Sequence, residues 1–153
     1  MKSPQVILAS DHAGFKLKEV VKSFLEKQDY KVLDVGAHEF VDGDDYPVYM
    51  TAAAMKVAED MSGDTKTIIF GGSGQGEAIV ANRFPGVRAV VWYGGSEDIL
   101  KLSREHNDAN ILSIGANFIN EDEAKKAVKL WLETPFSGEE RHQRRNSQID
   151  NIE

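Results

Sequence analysis

Apolar residues along this chain follow two alternating rhythms. Short, nearly continuous apolar runs occur at residues 5–10, 31–36, 67–70, 87–92 and 111–115, each bounded by glycine, proline or acidic residues. Runs of this length and composition read as strands buried on both faces. Between them the spacing changes to that of amphipathic helices. After Asp11-His12-Ala13-Gly14, helical spacing links Phe15, Val20, Val21, Phe24 and Leu25. A polar loop, Val41-Asp42-Gly43-Asp44-Asp45, leads to Tyr46-Pro47, where proline suits the first turn of a helix carrying Met50, Ala53, Ala54, Val57 and Met61. A short helical segment at 78–82 follows a glycine-rich loop. Pro85-Gly86 turns the chain into the fourth strand, and Ser96 is placed to cap a helix running to about His106. Another helix spans about 121–132, Thr134-Pro135 breaks it, and from Ser137 the chain reads as polar helix. Strands alternating with helices predict a parallel sheet covered on both faces. Ligands of such sheets gather beyond the carboxyl ends of the strands, where Asp11-His12 and the glycine loop can meet.

Composition narrows the classes of function. At 153 residues the chain is one domain, with 41% hydrophobic and 28% charged residues. A net charge of −7 argues against broad binding to nucleic acid or anionic membrane, although it leaves room for a local basic patch. The absence of cysteine excludes disulfides, thiolate catalysis and cysteine-based metal sites. His12, His38, His106 and His142 show no metal-ligand spacing, so no metal is expected. Met1-Lys2-Ser3-Pro4 leads directly into a strand without a signal-like or spanning stretch, and a cytoplasmic protein is the expectation.

The loop at 71–77, Gly-Gly-Ser-Gly-Gln-Gly-Glu, joins a buried strand to a helix start, where backbone N–H groups and the helix dipole favour an anion. A nucleotide P-loop in the frame Gly71-x-x-x-x-Gly76 needs lysine at the position of Glu77, and the dinucleotide pattern fails at the same acid. A carboxylate there would repel a pyrophosphate. Beside donors able to hold an oxyanion, it suits proton abstraction from carbon. Glu77 also fits a second role as a first-turn acid complementing the dipole, which would keep it ionised. Ser73 can supply a turn hydroxyl or polarise a substrate oxygen.

Other candidates carry the same double reading. Asp11 is placed to cap the first helix, and His12 gains weight from sharing its sheet edge with the glycine loop. His106-Asn107-Asp108 closes a helix, at the opposite end of the sheet from the glycine loop, so a catalytic His106 would serve another subunit. Arg141-His142-Gln143-Arg144-Arg145 is a cationic cluster in an acidic chain, with Arg141 and Arg145 on one helical face. It is either a solvated face or a grip for one small phosphate.

Several segments, in order, carry a resemblance: Ser10-Asp11-His12-Ala13-Gly14, Asp45-Tyr46-Pro47, the loop 71–77, Ala81-Asn82-Arg83, Pro85-Gly86-Val87-Arg88-Ala89, Ser103-Arg104-Glu105-His106-Asn107 and the cluster 141–145. The chain resembles the sugar-phosphate isomerases of the ribose-5-phosphate isomerase B type, which include galactose-6-phosphate isomerase subunits, over nearly its whole length. The resemblance implies a Rossmann-like three-layer α/β sandwich on a five-stranded parallel sheet. It covers a single domain over 1–153 with a C-terminal helical segment from about 137. It also implies a cofactor-free aldose–ketose isomerase working through an enediolate, as a homodimer or homotetramer with shared sites. The substrate would be a small phosphorylated sugar, with ribose 5-phosphate and ribulose 5-phosphate as the expected pair. A hexose phosphate, an unphosphorylated sugar and a non-catalytic sugar-phosphate-binding module are the alternatives. By the same resemblance Glu77 is the base, while Ser73 and the loop around Gly72, Gly74 and Gly76 steady the enediolate oxygen. Asp11 and His106 open the ring, His12, Tyr46 and Asn107 line the site, and Arg141, His142 and Arg145 hold the phosphate. One branch of the family uses a cysteine base at the position of Gly71, and this chain resembles the glutamate branch. Family members often carry an arginine two residues after the fifth-strand glycine, where this chain has Asn117.

Overall fold

The computed structural model describes residues 5–152; the Met1-Lys2-Ser3-Pro4 segment read above lies outside the described residues. In chain order the elements are β1 (Gln5–Ser10), α1 (His12–Lys27), β2 (Lys31–Asp34), α2 (Tyr46–Glu59), β3 (Lys66–Gly71), α3 (Gln75–Ala81), β4 (Ala89–Trp92), α4 (Asp98–Glu105) and β5 (Ile111–Gly115). A short 3-10 turn, Ala116–Phe118, follows β5 and precedes α5 (Glu121–Glu133) and α6 (Glu140–Asp150). The five strands form one parallel sheet in the order β2-β1-β3-β5-β4.

Both faces of the sheet are covered, and the period-2 alternation of the strands divides the core in two. Val6, Leu8, Ile68, Phe70, Leu112 and Ile114 pack toward α1, α4 and α5, against Leu17, Val21, Leu25, Leu100, Val128 and Trp131. Ile7, Ala9, Ile69 and Ile111 face the other way, against Met50, Ala53, Ala54 and Val57 of α2 and Ala81 of α3. Neighbouring residues of each strand therefore feed opposite layers, which is why these runs are apolar throughout instead of alternating with polar residues.

Several boundaries move from the sequence reading. Met61 is 96% exposed, because α2 ends at Glu59 before the helical phase reaches it. The second strand stops at Asp34 instead of Gly36, where φ is +116°, a conformation that suits glycine and interrupts a strand. β4 starts at Ala89, because the Arg88 N–H goes to the Asn110 side chain at 2.8 Å instead of to a neighbouring strand. α3 starts earlier, at Gln75, so Gly76 and Glu77 lie within its first turn. Ser96 does accept the Asp98 N–H at 3.2 Å, although the helix proper begins at Asp98.

β1 is an inner strand, with its successor β2 on one side and β3, the central strand, on the other, so the chain reverses its direction of travel across the sheet between β1 and β3. At such a switch point the connections leaving the two carboxyl ends diverge and open a crevice. Ser10 and Phe70 are in register there, which sets Asp11 beside the glycine loop.

Candidate active site

The crevice brings together Asp11, His12, Tyr46, Ser73, Glu77 and the loop glycines. Asp11 caps α1 by accepting the Gly14 N–H at 3.0 Å, as its position before the helix predicted. Gly14 is obligatory for closeness, because a Cβ there would overlap the Phe70 carbonyl of β3. That approach lets α1 and β3 bring their ends together, and Asp11 is near enough to act electrostatically on Glu77.

Glu77 is 4% exposed. Its carboxylate lies directly on the α-carbon of Gly71, where any Cβ would overlap Oε1 and Cδ. A side chain at position 71 and a glutamate in this pose at position 77 exclude each other. Burial, reinforced by the negative charge of Asp11, pushes the Glu77 carboxyl above its ordinary value, while its own backbone N–H pulls the other way. Desolvation thus outweighs the backbone donor that favours the ionised form. No cation pairs with Glu77 among the described residues.

The loop around the carboxylate is tightly set. Gly74 takes a left-handed φ of +79°, and its carbonyl accepts from the buried Ser113 hydroxyl at 2.7 Å. The Ser73 hydroxyl accepts the Gln75 N–H at 3.3 Å, the turn role open to it from sequence, and the residue remains exposed to a ligand. The N–H groups of Ser73 and Gly74 have no intramolecular acceptor among the described residues. The Tyr46 hydroxyl packs against Gly76, leaving no room for a side chain there. Asn117 lies at the same mouth: its N–H donates to the Gly72 carbonyl at 3.1 Å, and its Nδ2 would stand 3.0 Å from a Cβ on Gly72.

Asp44 joins the site from a loop and was not legible from sequence as a site residue. Its Oδ1 accepts both the His12 backbone N–H at 2.9 Å and His12 Nδ1 at 2.7 Å. Asp11, His12 and Asp44 thereby bring three potential ligand atoms within 4.8 Å of one another, a convergence hidden by the separation of His12 and Asp44 along the chain.

The remaining sequence-predicted residues lie elsewhere in the chain. His106 ends α4 and stacks on His142 of α6, with ring centroids 4.1 Å apart and planes inclined by 17°. Asn146 donates to the His106 carbonyl at 3.0 Å. Asn107 follows at the mouth of a groove of about 670 Å³ that also includes Arg83, Phe84 and Ile149. Burial, with the neighbouring His106 and Arg141, pushes the His142 imidazole below its ordinary pKa. Arg141 pairs with Glu139 and Arg144 with Glu140, whereas Arg145 has no ion-pair partner among the described residues. Arg88 is occupied: it grips Asp150 through Nη1 and the Asn107 and Asp108 carbonyls through Nε.

This second group belongs to the opposite pole of the sheet. Asn110 pairs with Thr67 at the start of β3, whereas the glycine loop begins at Gly71, its end. The strand between them spans about 13 Å at about 3.3 Å per residue. The chain therefore carries two half-sites: an acid and donor loop at one pole, and stacked histidines with arginines at the other.

The sequence profile of the ribose/galactose isomerase family matches residues 6–149. The chain belongs to the ribose/galactose isomerase family. Ribose-5-phosphate isomerase B of Mycolicibacterium paratuberculosis is 42% identical over 142 residues, covering 92% of this chain and 86% of the relative. The Escherichia coli protein of the same name is 36% identical over 151 residues, covering 97% and 96%. Among solved structures, ribose-5-phosphate isomerase B from Mycoplasma genitalium with bound ribulose-5-phosphate superposes with a TM-score of 0.89 at 34% identity, covering 95% of this chain and 93% of that one. The three-layer sandwich expected from the sequence is thus the fold of this isomerase family.

Proposed function

We propose that the protein interconverts an aldose phosphate and its ketose phosphate through an enediolate, with ribose 5-phosphate and ribulose 5-phosphate as the pair. The observation that carries this reading is the buried Glu77 carboxylate, unpaired by any cation among the described residues and placed at a loop with free N–H donors. Relatives named as ribose-5-phosphate isomerases, one of them solved with ribulose-5-phosphate, support the substrate class.

In this reaction the Glu77 carboxylate removes the proton from C2 of the open-chain aldose. The electrons of the broken C–H bond become the C1–C2 double bond, and the carbonyl oxygen O1 takes the charge. The Ser73 hydroxyl and the N–H groups around Gly72, Gly74 and Gly76 hold that oxygen, at no reorganisation cost because the loop is already shaped. The protonated Glu77 returns the proton to C1 while the O2 proton passes to O1, so atoms and electrons balance without a co-reactant. A carboxyl raised above its ordinary pKa is both a better base for the first transfer and a usable acid for the second.

Asp11, which faces Glu77, serves ring opening together with His106, while His12, Tyr46 and Asn107 line the pocket. Arg141, His142 and Arg145 take the phosphate. Because these groups occupy two poles of one chain, we propose a homodimer or homotetramer in which the helix-end group of one subunit completes the loop of another. Ile79, two residues beyond Glu77, is 57% exposed and offers apolar surface next to the base for a neighbouring subunit to cover. Such an enzyme works in the cytoplasm on a small diffusible substrate.

The test is solvent deuterium exchange with a panel of pentose phosphates, hexose phosphates and free sugars. Deuterium entering ribose 5-phosphate at C2 or ribulose 5-phosphate at C1, with turnover, is the expected result. Preferential exchange into a hexose phosphate or a free sugar reassigns the substrate. Binding without exchange into any of them reduces the protein to a sugar-phosphate-binding module.

A further inference from the structure

We infer that Asp44 is a positioning residue of this site, holding His12 in one orientation with Nδ1 as the donor, so that Nε2 is the ring nitrogen left for the substrate and carries an N–H when the ring is protonated. The inference rests on the isomerase reading and deepens it, since it assigns a role to Asp44, a loop acid outside the site residues that the sequence suggested.

A single carboxylate oxygen, Asp44 Oδ1, accepts from two donors of the same residue, the His12 N–H at 2.9 Å and Nδ1 at 2.7 Å. Two bonds from one residue to one acceptor fix both the backbone and the ring. With Nδ1 committed as a donor, the neutral ring keeps its lone pair on Nε2, and protonation places a hydrogen there. Nε2 has no partner among the described residues, and the side chain stays 31% exposed, so this nitrogen is the one left for a ligand. The Phe40 ring lies beside the imidazole in a T-shaped arrangement, with ring centroids 6.3 Å apart and planes inclined by 77°.

Asp44 itself is built as a support. Its side chain is 8% exposed, and Oδ2 is buried without a hydrogen-bond partner. Tyr49 of α2 makes no well-formed bond to it, yet stands close enough to help stabilise the carboxylate. Burial opposes that charge, but the His12 bonds prevail and hold the Asp44 carboxyl below its ordinary value. In the reverse direction, the Asp44 bond raises the His12 pKa against desolvation, aided by the charges of Asp11, Asp44 and Asp42. These acids, one before α1 and two in the 41–45 loop, are the ones whose charge acts on the ring. The same loop ends at Tyr46, whose hydroxyl packs on Gly76. One short segment thus delivers two supports, a carboxylate behind His12 and a phenol against the glycine loop.

The test uses Asp44→Asn, which keeps an acceptor oxygen and removes the charge, with Asp44→Glu as the conservative partner. Long-range ¹⁵N NMR of His12, assigned with His12→Gln, reads tautomer and titration directly and needs no turnover. Calorimetry with an equilibrium mixture of ribose and ribulose 5-phosphates reads affinity, and kcat and KM across pH read function. In the wild type, Nδ1 is protonated throughout. In Asp44→Asn, His12 titrates at lower pH and affinity falls by about tenfold, the loss of one charge-assisted contact. KM rises more than kcat falls, the upper pH limit of binding moves down with the NMR titration, and Asp44→Glu recovers part of each. Thermal melts establish that both variants fold. An unchanged tautomer and titration in Asp44→Asn overturn the proposal, as does a moved titration with unchanged affinity, which would leave Asp44 a loop latch. If the wild type enolises no sugar, the isomerase reading fails by itself, while the NMR and calorimetric results still decide the role of Asp44.

Discussion

Gly71→Ala separates a catalytic Glu77 from one that merely complements a helix dipole. The β1–β3 crevice leaves no space at this position: a Cβ on Gly71 overlaps Oε1 and Cδ of Glu77. The backbone of Gly71 belongs to β3 and is not among the positive-φ glycines, so alanine meets no conformational penalty there. The strain must therefore be relieved by the carboxylate moving. Overpacking of this kind costs about 1–3 kcal/mol of stability, which a domain can survive. A positioned general base contributes about 10²–10⁴-fold, or about 2.7–5.4 kcal/mol at 1.36 kcal/mol per decade. Gly71→Ala should lose most of that factor with its fold intact. Glu77→Gln should lose it too, and the double variant should be no worse than the poorer single one, because both lesions remove the same group. Isomerisation of ribose 5-phosphate, followed by direct assay of ribulose 5-phosphate, measures all four proteins. Denaturation adds an independent check on sign. A carboxyl raised on folding adds stability below its unfolded value near 4.5 and loses it as pH rises through the folded value. Glu77→Gln should therefore be relatively more stable than the wild type at neutral pH, with the advantage shrinking on acidification. A Gly71→Ala protein that turns over at the wild-type rate would refute the reasoning, as would additive losses in the double variant.

Three further outcomes are expected. Mixing inactive Glu77→Gln subunits with inactive His106→Ala subunits should restore activity, since one hybrid site carries both lesions and another carries neither. No recovery despite subunit exchange seen by native mass spectrometry counts against a shared site. Asn117→Arg, beside Gly72, should tighten sugar phosphates and inorganic phosphate by about tenfold for one added guanidinium contact, while leaving free sugars unaffected. Unchanged phosphate inhibition would show that position 117 does not face the anion. Lys18→Met should cost about 3–5 kcal/mol in urea titrations. Lys18 is fully buried and donates to both oxygens of Asp34 at 2.8 and 2.7 Å, so its removal leaves a carboxylate that is 8% exposed with only the more distant Lys22 at 3.4 Å and the Gly36 N–H at 3.0 Å among the described residues. A loss below about 1 kcal/mol would mean that Lys22 and the Gly36 N–H suffice for Asp34.

Much of this protein was legible in the sequence because its signals are local. Unbroken apolar runs marked strands covered on both faces, and helical spacing marked the covering layers. Asp11 capped the helix that its position announced, and Pro47 opened the helix in which it suits the first turn. Even the separation of His106 from Glu77 followed from chain direction, since a helix returning to a parallel strand ends at the far pole. Glycine spacing with an acid in place of lysine excluded a nucleotide loop, again from neighbouring residues alone.

What the sequence could not determine depends on groups distant along the chain. The strand order and the switch between β1 and β3 arise from which faces pack, and many orders satisfy the same apolar pattern. Nothing in the sequence sets Lys18 apart from the other charges of α1, yet the fold buries it and supplies Asp34 from the next strand. Asp44 was one acid in a polar loop until the fold laid it against His12, 32 residues away. The Glu77 carboxyl shows the difference most directly. Its place in a helix start, visible in sequence, favours the charged form; its burial against Gly71 and Asp11, made only by tertiary packing, disfavours it. Desolvation outweighs the single backbone donor that favours the charge, so tertiary structure decided the character of the base that sequence had located.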